Sequence, residues 1–94
     1  MRKTDNFEAW SLLSACRKTG GLAKAAAAES LDLSVASRLI AGFETELGVG
    51  ILDRRVRPAV LTETGTRLAV FAQKMVKARR DALELASEVH ALEA

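Results

Sequence analysis

Apolar residues return every three or four positions along most of this chain, which is the helical period. Phe7, Trp10, Leu12, Leu13 and Cys16 do so first. They predict a helix over roughly Asn6 to Lys18, with Thr4 and Asp5 as N-caps and Thr19-Gly20-Gly21 as its stop. A short second helix is expected from Leu22 to about Ser30, around the run Ala25-Ala26-Ala27-Ala28. Alanine is the best helix former, and its small side chain lets a neighbouring helix approach closely. Ser30-Leu31-Asp32 reads as a tight turn, with Asp32 capping a third helix, Leu33 to Leu47, that Gly48 ends. Val35, Leu39, Ile40, Phe43 and Leu47 supply its apolar face, and Ser34, Ser37, Arg38, Ala41 and Thr45 point elsewhere.

The pattern then changes. The short apolar pairs Ile51-Leu52 and Val60-Leu61 flank Asp53-Arg54-Arg55-Val56-Arg57-Pro58-Ala59, which suggests a two-stranded hairpin with three arginines at its tip. Thr62 caps a last helix, with Glu63 suited to the positive helix end. That helix continues without a breaker to about Leu92, roughly 45 Å at about 1.5 Å per residue. Leu68, Phe71, Met75, Ala78, Ala82, Leu85, Val89 and Leu92 alternate at spacings of 3 and 4 along it, a seam of three heptads. Near Leu68 and Phe71 that seam has the first helix within reach. From Ala82 to Leu92 nothing else in the chain remains to cover it, which argues for a partner helix, most simply a second copy of this chain.

Composition narrows the class. At 94 residues and 49% hydrophobic, the chain can bury one small core, and disorder is excluded. Aromatics make up 4%, so packing rests on Ala, Leu, Val and Ile, which disfavours an aromatic-rich β-sandwich. The net charge is +2, from 14 basic and 12 acidic residues, too small an excess to indicate nucleic acid unless the charges cluster. The single cysteine, Cys16, excludes an internal disulfide, has no zinc-site companions and is expected in the core. No apolar run approaches a bilayer span, and Met1-Arg2-Lys3 does not lead into a signal-peptide core. These features point to a chain in a reducing, cytoplasmic setting with no membrane contact. His90 is the only histidine and has no ligand neighbours, so it is read as a surface or interface residue. Neither an enzyme nor a cofactor is called for.

The order helix, helix, tight turn, helix, basic hairpin, long helix is that of a mainly α winged helix-turn-helix. Residues 1–61 would form that domain, three helices plus a short two-stranded wing, and residues 62–94 the long C-terminal dimerisation helix. In such modules the helix after the turn lies in the major groove. Leu33, Ser34, Ser37 and Arg38 are its exposed groups near the start, where the helix dipole also favours phosphate. Arg54, Arg55 and Arg57 at the hairpin tip suit a minor groove or the flanking backbone. Each has a plainer reading: Arg38 solvated or paired with Glu44 or Asp32, the hairpin a solvated turn. The Lys74, Lys77, Arg79, Arg80 cluster is read as a solvated helix face with i,i+4 partners such as Glu84.

One group of residues carries a resemblance. Ala25-Ala26, Ser37-Arg38, Ile40, Glu44, Leu47-Gly48, Arg54, Arg57, Leu61-Thr62 and Gly65 stand at uninterrupted spacing, and from about Gly20 to Gly65 the chain resembles the DNA-binding domain of LysR-type transcriptional regulators. The long helix matches that family's linker helix in position and character. The resemblance implies a bacterial, nucleoid-associated regulator that binds inverted-repeat promoter DNA as a homodimer, or as a tetramer in a longer chain. It also implies a small-molecule effector bound by a C-terminal domain. The chain ends after the linker helix, so it is expected to be an isolated DNA-binding fragment or a truncated relative.

Departures from the family pattern carry their own expectations. Gly20-Gly21-Leu22-Ala23 replaces Gly-Ser-Phe-Thr and loses two hydroxyls that would cap the second helix and reach phosphate. Asp32-Leu33-Ser34 replaces Ser-Gln-Pro. Leu33 has no amide for a bidentate adenine contact, and at best it meets a thymine methyl. Glu29 puts a charge where a leucine usually packs. Shifting the turn by two residues, with Leu31 and Leu33 buried and Ser34 as the cap, would remove that conflict, but the downstream spacing favours the ungapped register. The rival reading, supported by the weak net charge and by Asp32, Gly21 and Ala23, is a protein-interaction module that pairs through its long helix and keeps only vestigial DNA binding.

Overall fold

The computed structural model describes residues 6–93, which form four helices and one two-stranded antiparallel sheet. Helix α1 (Phe7–Thr19) runs through the centre of the domain, between α2 (Leu22–Ala28) and α3 (Leu33–Leu47) on one side and α4 (Glu63–Glu93) on the other. Strands β1 (Leu52–Asp53) and β2 (Val60–Leu61) form the wing, pairing Leu52 with Leu61 and Asp53 with Val60. The first strand is thus displaced by one residue from the expected Ile51-Leu52 pair, while the second is the expected Val60-Leu61. Ile51 sits just outside the ladder, fully buried, and its carbonyl accepts the Thr62 N–H at 2.9 Å.

Most helix ends fall where the capping residues placed them. The expected caps Thr4 and Asp5 lie outside the described residues. Asn6 caps α1 instead, its Oδ1 accepting the Glu8 N–H at 2.9 Å. Helix α2 stops at Ala28, two residues short of expectation, because Ser30 turns into the left-handed region at φ 58 and the Leu31 N–H reaches back to the Ala26 carbonyl. Asp32 takes the N-cap position of α3, as expected, but its side chain makes no capping bond. Gly48 closes α3 at φ 74, a backbone geometry that a side chain would strain.

The core is made of Leu12, Leu13, Cys16, Ile40, Phe43 and Ile51, all essentially without solvent contact. Trp10 meets Phe43 edge-on, with ring centroids 4.7 Å apart. Alanines do the fitting around them. Ala25 and Ala26 of α2 and Ala36 of α3 are buried in the same cluster, and small side chains let those two helices close together. Ala36 also corrects the apolar face expected for α3. It stands four and seven residues before Ile40 and Phe43 and is the buried residue of that turn, whereas Val35, one position round the helix, is exposed.

Helix α4 carries two apolar faces. Gly65, Ala69 and Ala72 are buried against the body of the domain. Arg17 Nη1 donates to Gln73 Oε1 at 3.2 Å, and the Arg79 guanidinium lies 5.1 Å from the Phe7 ring centre, so the contact with α1 is clasped by side chains along its edges. Gly65 is required there, because a Cβ at that position would overlap the Ile51 backbone. The seam from Phe71 to Leu92 lies roughly 130° around the helix from this buried face, at about 100° per residue. Of the seam residues only Leu68 packs on the core. Phe71, expected to reach the first helix, is 59% exposed, and every residue from Lys77 to Glu93 is exposed.

Candidate nucleic-acid interface

The turn between α2 and α3 holds the ungapped register. Leu31 is half-buried against the core, while Leu33, the first residue of α3, is 50% exposed, so a shifted register that buries Leu33 does not occur. Glu29 fits at the end of α2 without entering the core, and its Oε1 accepts the Ser11 hydroxyl at 2.9 Å. The hydroxyls missing from the start of α2 are replaced by backbone. The Leu22 N–H donates to the Ala59 carbonyl at 2.9 Å, which ties the helix start to the far arm of the wing.

This arrangement brings the wing alongside the start of α3. Between them lies an open groove of about 590 Å³, and Leu33, Ser37, Arg54, Val56, Arg57 and Pro58 are among its lining residues. Four of the seven residues expected to bind DNA therefore share one depression: Leu33, Ser37, Arg54 and Arg57. Ser34 and Arg38 are exposed on the same helix. Arg55 is also exposed but lies outside the groove, turned back onto Asp53: its Nε and Nη2 each donate to that carboxylate at 3.0 Å. Those bonds hold the Asp53 carboxyl below its ordinary value.

The three wing arginines are in different states. Arg54 Nη1 donates to Glu44 Oε1 at 2.8 Å, and its Nη2 points at the Ser37 carbonyl, 3.4 Å away. Glu44 Oε2 accepts the Ile51 and Leu52 N–H groups at 2.6 and 3.1 Å. Burial raises the Glu44 pKa, but the two amides and the guanidinium outweigh it, and the carboxyl titrates below its ordinary value. One carboxylate on α3 thus holds both the base of the wing and an arginine near its tip. Among the described residues Arg57 and Arg38 have no hydrogen-bonding or ion-pair partner, so none of those residues neutralises either cation. Glu44 takes Arg54 rather than Arg38.

Sequence reasoning missed two contributors. Lys24, exposed in the first turn of α2, lines a second groove of about 260 Å³ together with Arg57 and Pro58, which adds a cation on the α2 side of the wing. A lone lysine in an alanine-rich helix carries no local signal, since its neighbour is supplied by a loop more than thirty residues away. The other is Glu44 as the wing's anchor: in the sequence it is one of two acidic residues on α3, a motif position and a possible partner of Arg38, with nothing local to tie it to the wing.

At the opposite end, Phe71, Met75, Leu85, Val89 and Leu92 expose one apolar stripe along α4. Lys74 lies over the Phe71 ring at 5.3 Å, and Lys77 pairs with Asp81, four residues on, at 2.6 Å, an i,i+4 partner of the kind expected for this cluster. Ala78 and Ala82 fill the stripe between the larger residues and are exposed like them.

Comparison with known proteins agrees with this geometry. The family model described as bacterial regulatory helix-turn-helix protein, lysR family, matches residues 7–66. The chain is similar to the probable HTH-type transcriptional regulator LrrA of Synechococcus elongatus, 38% identical over 72 residues, covering 77% of this chain and 24% of that protein. It therefore spans about a quarter of that relative's length. Among solved structures, the fold superposes on a BenM DNA-binding domain in complex with catB site 1 DNA, with a TM-score of 0.80 at 22% identity, covering 90% of this chain and 94% of that one. It also superposes on Vibrio fischeri DarR in complex with DNA, with a TM-score of 0.77 at 21% identity, covering 93% of this chain and 30% of that one.

Proposed function

Because the chain belongs to the lysR family of bacterial regulatory helix-turn-helix proteins, whose model covers residues 7–66, we propose that it binds double-stranded promoter DNA sequence-specifically as a homodimer. The start of α3 enters the major groove, where Leu33, Ser34, Ser37 and Arg38 meet base edges and flanking phosphates. Arg57, with Arg54 and Arg55, holds the backbone or the minor groove beside it. The observation that carries this reading is the shared groove between α3 and the wing, where Leu33, Ser37, Arg54 and Arg57 converge. A duplex laid across it meets a helix start and a cationic loop together.

The dimer forms through the α4 seam of Leu68, Phe71, Met75, Ala78, Ala82, Leu85, Val89 and Leu92. Leu68 also packs on the core, but from Phe71 onward the seam faces away from the domain that α4 supports, so a second copy can pair along it without disturbing the core. Two modules on one helix pair address half-sites about 34 Å apart, one helical turn, or a multiple of that distance. In a longer chain such dimers associate into tetramers, and a separate domain takes the small-molecule effector. The setting is the bacterial cytoplasm, on the nucleoid, and no helix among the described residues is long and apolar enough to cross a membrane.

The test is binding to promoter-length duplexes across a salt series, with the mass in solution measured alongside. A DNA reader loses affinity steeply as salt rises, by about 0.9 in log–log slope for each phosphate neutralised. Dimeric mass without salt-dependent binding would favour a protein-interaction module instead, and monomeric mass would remove the α4 dimer.

A further inference from the structure

The first turn of α3 is chemically unusual for a surface that reads bases. Its residues are Leu33, Ser34, Val35 and Ala36. None carries an amide, a guanidinium or an imidazole, so the turn offers no bidentate hydrogen bond to any base. Its most prominent group is an apolar one. Leu33 is 50% exposed and shares the lip of the groove with Val56, which is 46% exposed. The two come from different elements, the helix and the wing, and with Pro58 they give apolar lining to a groove that Arg54 and Arg57 also line. Exposed apolar lining of this kind gains only by meeting another apolar surface.

The edges of B-DNA bases in the major groove present one such surface, the C5 methyl of thymine. Resting on the proposed DNA reading, we infer that Leu33 is a specificity-determining residue that recognises a pyrimidine 5-methyl group in each half-site. The chain therefore selects thymine at that step by its methyl and not by hydrogen bonds. 5-Methylcytosine carries the same methyl on the same ring carbon, so it is read as the favoured form of cytosine at that step. Recognition there is thus sensitive to cytosine-5 methylation of the DNA.

The experiment uses the 94-residue chain and a duplex selected from a random pool at low salt. Each thymine is replaced in turn by deoxyuridine, which deletes the methyl and leaves every hydrogen-bonding group in place. One thymine per half-site should show a loss of about fourfold, the equivalent of about 0.8 kcal/mol for one buried methyl-sized group. Replacing both symmetric thymines should cost about sixteenfold. Placing a cytosine·guanine pair at the same step, 5-methylation should strengthen binding by about the same fourfold. Leu33→Ala should bring both ratios close to one without changing the salt dependence, and Leu33→Gln should move the preference at that step toward adenine. Because Leu33 is half exposed outside the core, these variants should keep the wild-type melting temperature.

A thymine whose uracil penalty disappears in Leu33→Ala carries the inference. Salt-dependent binding with a flat uracil scan, or with a penalty that Leu33→Ala leaves intact, overturns this inference alone. Absence of any salt-dependent duplex binding overturns the DNA-reading proposal, and this inference with it.

Discussion

Removing the Glu44 carboxylate should detach the wing from α3. The structure gives the size of the effect. In Glu44→Ala the Ile51 and Leu52 N–H groups lose their acceptor, and both residues are buried, at 0% and 6% exposure. An orphaned donor that water cannot reach costs about 1–3 kcal/mol. The Arg54 pair adds little, because that side chain is 41% exposed and solvated pairs contribute at most about 1 kcal/mol. The two orphaned amides therefore dominate, and the expected loss is about 2–5 kcal/mol. For a domain of this size each kcal/mol moves the melting temperature by about 4–8 °C, so the variant should melt at least about 8 °C below wild type. Glu44→Gln keeps a neutral acceptor and should lose only about 1–2 kcal/mol. The depressed Glu44 pKa adds a pH signature. Its stabilisation is fully present above the unfolded carboxyl value of about 4.3, and it is lost as the pH falls through the lower folded value. Wild type should therefore destabilise more steeply than Glu44→Gln below about pH 5. Urea unfolding with paired pH scans measures both effects. A Glu44→Ala variant within about 0.5 kcal/mol of wild type would refute the account of the wing as anchored by this carboxylate.

Four other outcomes follow from the same geometry. Arg57→Ala should lower the salt slope of duplex binding by close to one and leave folding unchanged, whereas Arg54→Ala should lower it less and cost stability, because Arg54 already bonds to Glu44; equal slope changes with equal stability would contradict that division. Leu85→Glu should halve the mass seen by light scattering without changing the helical signal, and an unchanged dimeric mass would exclude the α4 stripe as the interface. Gly65→Ala forces a methyl into the Ile51 backbone and should cost about 1–3 kcal/mol in chemical unfolding despite alanine's better helix propensity; a stabilised variant would contradict the close approach. The Cys16 thiol, pushed up to about 11 by burial, should resist a thiol reagent at neutral pH until the protein is unfolded, and fast labelling of the native chain would contradict its place in the core.

Much of the fold was legible because local chemistry and packing agree. The helical period, the glycines after α1 and α3, and the Thr62 cap identify elements whose ends are set by residues within a turn of each other. Thr62 illustrates this: its hydroxyl accepts the Gly65 N–H at 2.9 Å and donates to the Gly50 carbonyl at 2.8 Å, so one side chain starts α4 and ties it to the segment that leads into β1. Legibility fails where the deciding partner is distant. Val35 and Ala36 are both apolar, and only the position of α2 determines which of them is buried. The α4 seam showed a second apolar face, but its upper limit against α1 depends on where α1 ends. Phe71 faces solvent because Gly65, Ala69 and Ala72, too small to stand out in a hydropathy pattern, form the face that packs.

The same limit governs the site. Three arginines at a hairpin tip read as three equivalent cations, yet the fold makes them unequal. Arg55 is held by Asp53, two residues away, a pairing that local sequence already permits. Arg54 is held by Glu44, ten residues away across a helix end and a strand, and that pairing exists only once the wing has docked on α3. Arg57 has no compensating partner among the described residues and lines a groove with Lys24 of α2. The cationic surface that a phosphate would meet is therefore centred on Arg57 and Lys24, while Arg54 fixes where that surface stands relative to Leu33 and Ser37. Counting basic residues finds the wing. Finding which of them is available for a ligand requires knowing where each carboxylate is already engaged.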